Sequence, residues 1–237
     1  MLLLTRAVED SIKSKDALAK LGFSVFIEPM FRVYYLSTEI GDISSYDGVI
    51  VTSKHGVRGM YNATKERNMR IIAVGDSTME CAVSLGFSNV HTVGGRVDDI
   101  LQYMGAAMPG ANLLYARGVH VSHDLCEAAR NVGISVEEVV LYEAVATDKM
   151  SSECLEYINN RRISGILFYS ERTAEIFIRL AKNAGISEEI TRSVSAYTIS
   201  LGASKALSVY PWKDVLVSQH PTEASLFELL GSFRTCL

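Results

Sequence analysis

The chain has no basic run and no basic tail. Its 237 residues hold 23 Lys and Arg against 27 Asp and Glu, a net charge of −4, so a nucleic-acid role has little support. Long apolar runs are also missing. Met1-Leu-Leu-Leu4 is followed at once by Thr5, Arg6, Glu9 and Asp10, which leaves too short a stretch for a signal peptide or a membrane span. Only four cysteines occur, Cys81, Cys126, Cys154 and Cys236, and no CxxC joins them. They read as free thiols in a reducing cytoplasm rather than as a disulfide frame. No GxxxxGK[ST] is present, which argues against a P-loop. No GxGxxG follows the first predicted strand, where Arg6-Ala-Val-Glu9 stands instead, and this argues against a dinucleotide site. A GxSxG elbow is absent too. No low-complexity segment or long linker interrupts the chain. What remains is 48% apolar, with a mean hydropathy of +0.16, enough to bury a sizeable core.

What is present is a repeat. Leu2–Tyr34 aligns without a gap on Leu113–Val145, at an offset of 111 (113 − 2). The pairs Leu2/Leu113, Leu3/Leu114, Arg6/Arg117, Val8/Val119, Ser11/Ser122, Ala17/Ala128, Gly22/Gly133, Ser24/Ser135 and Val25/Val136 are identical. The segments between echo each other more loosely: Val49-Ile-Val-Thr-Ser53 with Ile166-Leu-Phe-Tyr-Ser170, and Ile71-Ile-Ala-Val-Gly75 with Ala196-Tyr-Thr-Ile-Ser200. The order is A-B-A′-B′. A duplicated unit of this kind implies two similar lobes and a cleft.

Short apolar runs alternate with helical patterns. Strands are expected at 2–4, 24–28, 49–52, 71–74, 89–92, 113–115, 135–139, 165–169, 194–199 and 215–217. Helices are expected at 8–21, 55–64, 77–85, 97–108, 123–132, 151–159, 173–184, 203–209 and 222–233. Gly22, Gly86, Gly133 and Gly185 stand as helix stops. Continuous apolar strands separated by helices mean parallel sheets covered on both faces. Phe31–Leu36 and Leu141–Ala146 do not fit this rhythm. They are extended and aromatic, they occupy matching positions in the repeats, and they read as connections between lobes. Two divisions of the chain stay open: tandem lobes A+B and A′+B′, or a central lobe B+A′ inserted in A+B′.

In open parallel sheets, ligands bind beyond the carboxyl ends of the strands. Those positions carry Thr5-Arg6, Thr52-Ser53-Lys54, Gly75-Asp76-Ser77-Thr78, Ala116-Arg117-Gly118, Tyr169-Ser170-Glu171-Arg172-Thr173, and Ser200 with Ser204. Hydroxyls and bases recur there, and each following helix offers unpaired N–H groups. This suits an anion with several carboxylates or phosphates. At any single position the hydroxyl is first of all an N-cap; recurrence in both halves is what favours a site. His120 and His123 are read as solvated residues at a helix start, with no third metal ligand nearby. His55 and His220 each follow a strand and are read first as loop residues. Tyr142 aligns with Phe31, so its hydroxyl is what distinguishes it. A phenol is a weak acid that can still donate a hydrogen bond to a departing hydroxyl in a dry site.

The order and spacing of Leu3-Leu-Thr-Arg6, Tyr46-Asp-Gly-Val-Ile-Val-Thr-Ser53, Val74-Gly-Asp-Ser-Thr78, Leu114-Tyr-Ala-Arg-Gly118, Gly133…Val139-Val-Leu-Tyr142 and Ile166-Leu-Phe-Tyr-Ser170 resemble the uroporphyrinogen-III synthase family over essentially the whole chain. The resemblance implies a HemD-like α/β fold: two similar lobes, each a parallel sheet flanked by helices, joined by a two-stranded connection. It selects the inserted division, with an outer lobe of 1–32 and 148–237, an inserted lobe of 38–140, and connections at 31–37 and 140–147. It implies cyclisation of hydroxymethylbilane to uroporphyrinogen III, with loss of water and inversion of ring D through a spiro intermediate. No metal or organic cofactor is implied. The implied partners are the bilane, passed on by the preceding deaminase; nucleic acid and membrane are not expected. A cytoplasmic monomer is expected.

Carried over residue by residue, Tyr142 matches the tyrosine that assists departure of the ring A hydroxyl. Ser53, Thr78 and Ser170 match hydroxyls that hold carboxylates. Thr52, Lys54, Arg117, Arg172, Ser200 and Ser204 complete the expected binding set. Gly202 and Ala203 stand where the family often has threonine, and His120-Val-Ser-His123 where it commonly has a further arginine. A small-anion binding module without catalysis would use the same cleft, and isomer control on hydroxymethylbilane separates the two readings.

Overall fold

A computed structural model of the chain describes residues 1–94, 97–121 and 124–231. In chain order the elements are β1 (Leu2–Leu4), α1 (Val8–Lys20), β2 (Val25–Ile27), β3 (Phe31–Tyr35), β4 (Gly48–Val51), α2 (Lys54–Ala63), β5 (Arg70–Val74), α3 (Asp76–Ser84), β6 (Asn89–Val93), α4 (Val97–Ala107), β7 (Asn112–Gly118), α5 (Leu125–Arg130) and β8 (Ser135–Ala146). They continue with α6 (Ser152–Asn159), β9 (Gly165–Phe168), α7 (Glu171–Asn183), α8 (Glu188–Thr191), β10 (Ser195–Thr198), α9 (Leu201–Ala206), β11 (Asp214–Val217) and α10 (Glu223–Gly231). The chain divides into two compact units, Met1–Arg32 with Val145–Leu237, and Val33–Ala144.

The first unit carries a five-stranded sheet in the order β11-β10-β9-β1-β2, and every pairing in it is parallel. Its strands alternate between two cores. Leu3, Ile166, Phe168 and Ala196 face one cluster with α6 and α7. Leu2, Leu4, Leu167 and Tyr197 face another with Leu18 of α1 and Leu226 and Leu230 of α10. A strand buried on both faces needs apolar residues at every position, which is why β1 reads Leu-Leu-Leu. The charges of α1 suit its dipole, with Glu9 and Asp10 in the first turn and Lys20 in the last. Gly22, at φ 78°, takes the left-handed conformation that ends the helix.

The second unit holds the core of a six-stranded sheet in the order β3-β8-β7-β4-β5-β6. From β8 to β6 all pairings are parallel. Val49 and Val51 of β4 face one core with α2 and α3, and Ile50 faces the other with α4 and α5. The repeat is visible in the register. Leu2 pairs with Val25 and Leu113 with Val136, the same 111-residue offset on both strands. Likewise Leu2 pairs with Gly165 and Leu113 with Gly48, which fixes a second offset of 117 (165 − 48) for the B segments.

Several sequence expectations change. Ser135–Val139 and Leu141–Ala146, read as a strand and a separate connection, form one strand, β8. β3 lies beside it. Leu36 N–H donates to Leu141 C=O and Thr147 N–H to Met30 C=O, each at 2.9 Å, so the two run antiparallel. Helix α8 was not anticipated; it has four residues, below the length at which periodicity can show. The helix expected at 123–132 is described only as Leu125–Arg130, with His123 outside the described residues. The last helix is described to Gly231; residues 232–233 and Cys236 also lie outside them. Cys81, Cys126 and Cys154 are buried and take part in no disulfide.

Candidate functional site

The carboxyl ends of β4 and β7 and the part of β8 beside them bring the principal candidates of the second unit together. β4 ends at Val51, and Ser53 caps α2, its Oγ accepting from Gly56 N–H at 3.2 Å. An N-cap serine uses one lone pair this way and keeps its O–H and a second lone pair. Tyr142 Oη lies 3.0 Å from Ser53 Oγ. Beside this pair, Thr52 Oγ1 lies 3.2 Å from Tyr115 Oη. Burial raises the Tyr115 phenol above its ordinary pKa, with the Thr52 hydrogen bond acting the other way.

Tyr142 owes its place to an irregularity. Arg117 pairs with Val140, but Gly118 pairs with Tyr142. Leu141 is thus an extra residue on β8, a bulge that redirects the chain. Val119 N–H donates to Tyr142 C=O at 2.9 Å and holds the bulge. Arg117 secures it further. Its guanidinium donates to Gly118 C=O at 2.9 Å and to Val119 C=O at 3.2 Å, and pairs with Glu138 at 2.8 Å.

Sequence reasoning treated His55 as a loop residue. It stands in the first turn of α2, because the helix begins at Lys54 as soon as Ser53 caps it. The His55 ring lies 5.6 Å from the Tyr142 ring. Its Nδ1 is 3.2 Å from Tyr35 Oη and 3.5 Å from an Arg58 guanidinium nitrogen. A guanidinium only donates, whereas the direction of the Tyr35 bond follows the tautomer of the His55 ring. Nothing in the sequence signals these contacts, because Tyr35 and His55 lie on different elements.

The remaining candidates are placed as follows. Lys54 is the first residue of α2. Thr78 lies in the first turn of α3 and is 3% exposed. In the first unit, Ser170 caps α7 in a reciprocal box with Thr173, Arg172 is exposed in the first turn of that helix, and Ser200 caps α9 through Ala203 N–H. Ser204 Oγ donates to Leu201 C=O at 2.9 Å. At Gly202 an added Cβ would fall 2.8 Å from Glu171 Oε2, so the Glu171 carboxylate already lies over the start of α9. His120 and His220 are exposed. Among the described residues no group of three or more His, Cys, Asp or Glu is arranged to hold a metal ion.

These roles make separable predictions for stability. Ser170→Ala removes both a cap and its reciprocal partner, and should cost about 0.5–2 kcal/mol. Ser204→Ala removes only a bond within its own helix turn and should stay within about 0.5 kcal/mol. Urea midpoints of the two variants check the difference.

Residues 13–228 match the family model for uroporphyrinogen-III synthase HemD. No curated protein matches the sequence. Among solved structures, uroporphyrinogen-III synthetase from Helicobacter pylori is similar at 16% identity and a TM-score of 0.66, over 98% of each chain. A mutant uroporphyrinogen III synthase from Thermus thermophilus is similar at 16% identity and a TM-score of 0.55, over 99% of this chain and 98% of the other. At such identity the structures speak to the fold, which they share with this chain. The family match spans most of the 237 residues: the chain belongs to the uroporphyrinogen-III synthase HemD family.

Proposed function

We propose that Tyr142 and Ser53 carry the chemical step of the family's reaction in this chain: closure of hydroxymethylbilane to uroporphyrinogen III, with loss of water and inversion of ring D. The observation that supports this is the 3.0 Å contact between the two hydroxyls, beyond the carboxyl end of β4 and at the bulge of β8. Gly56 N–H donates to Ser53 Oγ, and in the Ser53–Tyr142 contact either hydroxyl can donate; in this reading Ser53 O–H donates to Tyr142 Oη, which leaves the Tyr142 O–H for the substrate. Each donor strengthens the next. The first N–H groups of α2 stand at the head of this chain and favour negative charge at its far end.

The chemistry then balances simply. The hydroxymethyl group of ring A loses its oxygen, pushed out by the pyrrole nitrogen lone pair. Tyr142 gives that oxygen a proton, and water leaves. The methylene carbon left behind is electrophilic and is attacked by ring D at its already substituted carbon, which produces the spiro intermediate. The spiro carbon's older bond, to the methylene leading to ring C, then breaks; ring D turns over, its unsubstituted carbon bonds to that methylene, and the proton this carbon loses restores the phenol. The protein's task is to favour this closure over the uninverted one, largely by holding the chain ends together.

The carboxylates of the bilane are assigned to Thr52, Lys54, Thr78 and Arg117 in one unit and to Ser170, Arg172, Ser200 and Ser204 in the other. Backbone N–H groups and hydroxyls carry no formal charge, so a chain of net charge −4 can still bind an anion. Among the described residues no helix is long and apolar enough to cross a membrane. We place the protein in the cytoplasm as a monomer that receives its substrate from the preceding deaminase.

The test is a coupled assay. Hydroxymethylbilane is generated in place, the protein is added without metal or nucleotide, the products are oxidised, and type I and type III porphyrins are separated. Predominantly type III product is expected. Type I product alone, from folded protein that still binds the bilane, would leave an anion-binding module and reject the catalytic reading.

A further inference from the structure

Gly118 is buried and faces the ring of Tyr142. A Cβ built at 118 would sit 2.7 Å from both Cε2 and Cζ of that ring, and 3.2 Å from Cδ2. Carbon atoms in ordinary contact stand about 3.5–4.0 Å apart. The encroachment is therefore roughly 1 Å, and it falls on the carbon that bears the hydroxyl. The backbone has little freedom to absorb it, because Val119 N–H holds Tyr142 C=O at 2.9 Å and the Arg117 guanidinium holds the carbonyls of Gly118 and Val119. A phenol ring is stiff and must swing as a whole. A swing of this size takes the Tyr142 hydroxyl out of hydrogen-bond range of Ser53 Oγ, now 3.0 Å away.

The repeat supplies an internal comparison. At the 111-residue offset, Gly118 corresponds to Ala7 and Tyr142 to Phe31. Where the ring has no hydroxyl the chain carries a methyl group, and where it has one the methyl group is absent. The helix on the other side of the hydroxyl shows the same thinning. Gly56 and Gly59 of α2 correspond, at the 117-residue offset, to Thr173 and Ile176. A Cβ at Gly56 would meet Ala116 C=O at 2.9 Å, and one at Gly59 would meet Leu141 Cβ at 2.7 Å. These glycines let the first turn of α2, with Ser53 at its cap, settle directly onto β7 and β8.

We propose that Gly118 is a positioning residue for the Tyr142 hydroxyl: the missing side chain at 118 allows the ring to lie where its oxygen meets Ser53. The inference rests on the reading that this hydroxyl acts on the leaving group. A misplacement of about 1 Å in a catalytic group can cost on the order of 100-fold.

The experiment compares the wild type, Gly118→Ala, Tyr142→Phe and the double variant, each measured for kcat, KM and thermal midpoint. Gly118→Ala should lower kcat about 10- to 100-fold and move KM less than about threefold. In the Tyr142→Phe background the same change should cost less than about twofold, because the hydroxyl it displaces is gone. Wild-type kcat in Gly118→Ala while Tyr142→Phe is impaired, or an equal loss in both backgrounds, would overturn the proposal. A crystal structure of Gly118→Ala separates this result from the fate of Tyr142 itself. A Tyr142–Ser53 oxygen distance beyond 3.5 Å supports positioning even if Tyr142→Phe proves active, and an unchanged distance rejects it. If Gly118→Ala does not fold, Gly118→Ala with Tyr142→Ala decides. Recovery of folding identifies the ring as the obstacle, and failure to recover shows that glycine is needed there for another reason.

Discussion

Replacing Tyr142 by phenylalanine is expected to lower kcat about 30- to 1000-fold in a protein that stays folded. The loss corresponds to one donor that acts chiefly in the transition state, worth roughly 2–4 kcal/mol. Packing should survive, because only the oxygen is removed and its hydrogen-bond partner among the described residues is the Ser53 cap, which continues to accept from Gly56 N–H. Phe31 occupies the corresponding position in the other repeat, so this part of the fold accommodates a phenylalanine ring. KM should move less than kcat, since the groups assigned to the carboxylates are untouched. Turnover and thermal midpoint measured on the same preparation check the prediction, and a near-normal kcat would make Tyr142 a packing residue.

The largest expected loss of stability lies elsewhere. Phe168, fully buried in β9, meets Phe177 edge to face with ring centroids 5.4 Å apart and Trp212 at 6.2 Å. Phe168→Ala should remove about 3–5 kcal/mol through lost transfer energy and the cavity left behind. That is a large share of a typical domain's stability of about 5–15 kcal/mol. Urea unfolding followed by Trp212 fluorescence, the chain's single tryptophan, would report the change, and a shift under 1 kcal/mol would mean the two remaining rings repack around the gap.

How much of this was legible beforehand depended on where the signal lay. The parallel α/β architecture could be read because buried strands must be apolar throughout, as in Gly48–Val51 and Gly165–Phe168, both buried at every position. The equivalence of β1-α1-β2 with β7-α5-β8 was legible because the identities hold one offset without a gap. β8 was divided in two at Val140 because Leu141–Ala146 matches Phe31–Leu36 in the repeat and reads with it as a connection, while the backbone continues in the sheet from Ser135 to Ala146. Thr52 and Ser53 could be nominated from a strand end, and Tyr142 from its alignment with Phe31 in the repeat. Tyr115, His55 and Gly118 could not. Their parts in the site depend on which side chain each meets across the fold, and for Gly118 the meaningful fact is the Tyr142 ring that a methyl group would strike.

The position of β1 has a consequence for how the protein is made. Its partner on one side, β2, follows almost at once, with Leu4 beside Ile27. Its partner on the other side is β9, with Leu2 beside Gly165. The ribosome must therefore add 138 residues (165 − 27) between the two, roughly 7–30 s at 5–20 residues per second. All the strands from β4 to β8 are synthesised in that interval, so the later-numbered unit can close its sheet before the first-made strand finds its second neighbour. Throughout it, three consecutive leucines wait with one edge unpaired, the kind of edge that recruits other chains. The vulnerable species is thus the unfinished polypeptide on the ribosome, and the number that governs its risk is elongation rate rather than the stability of the completed enzyme.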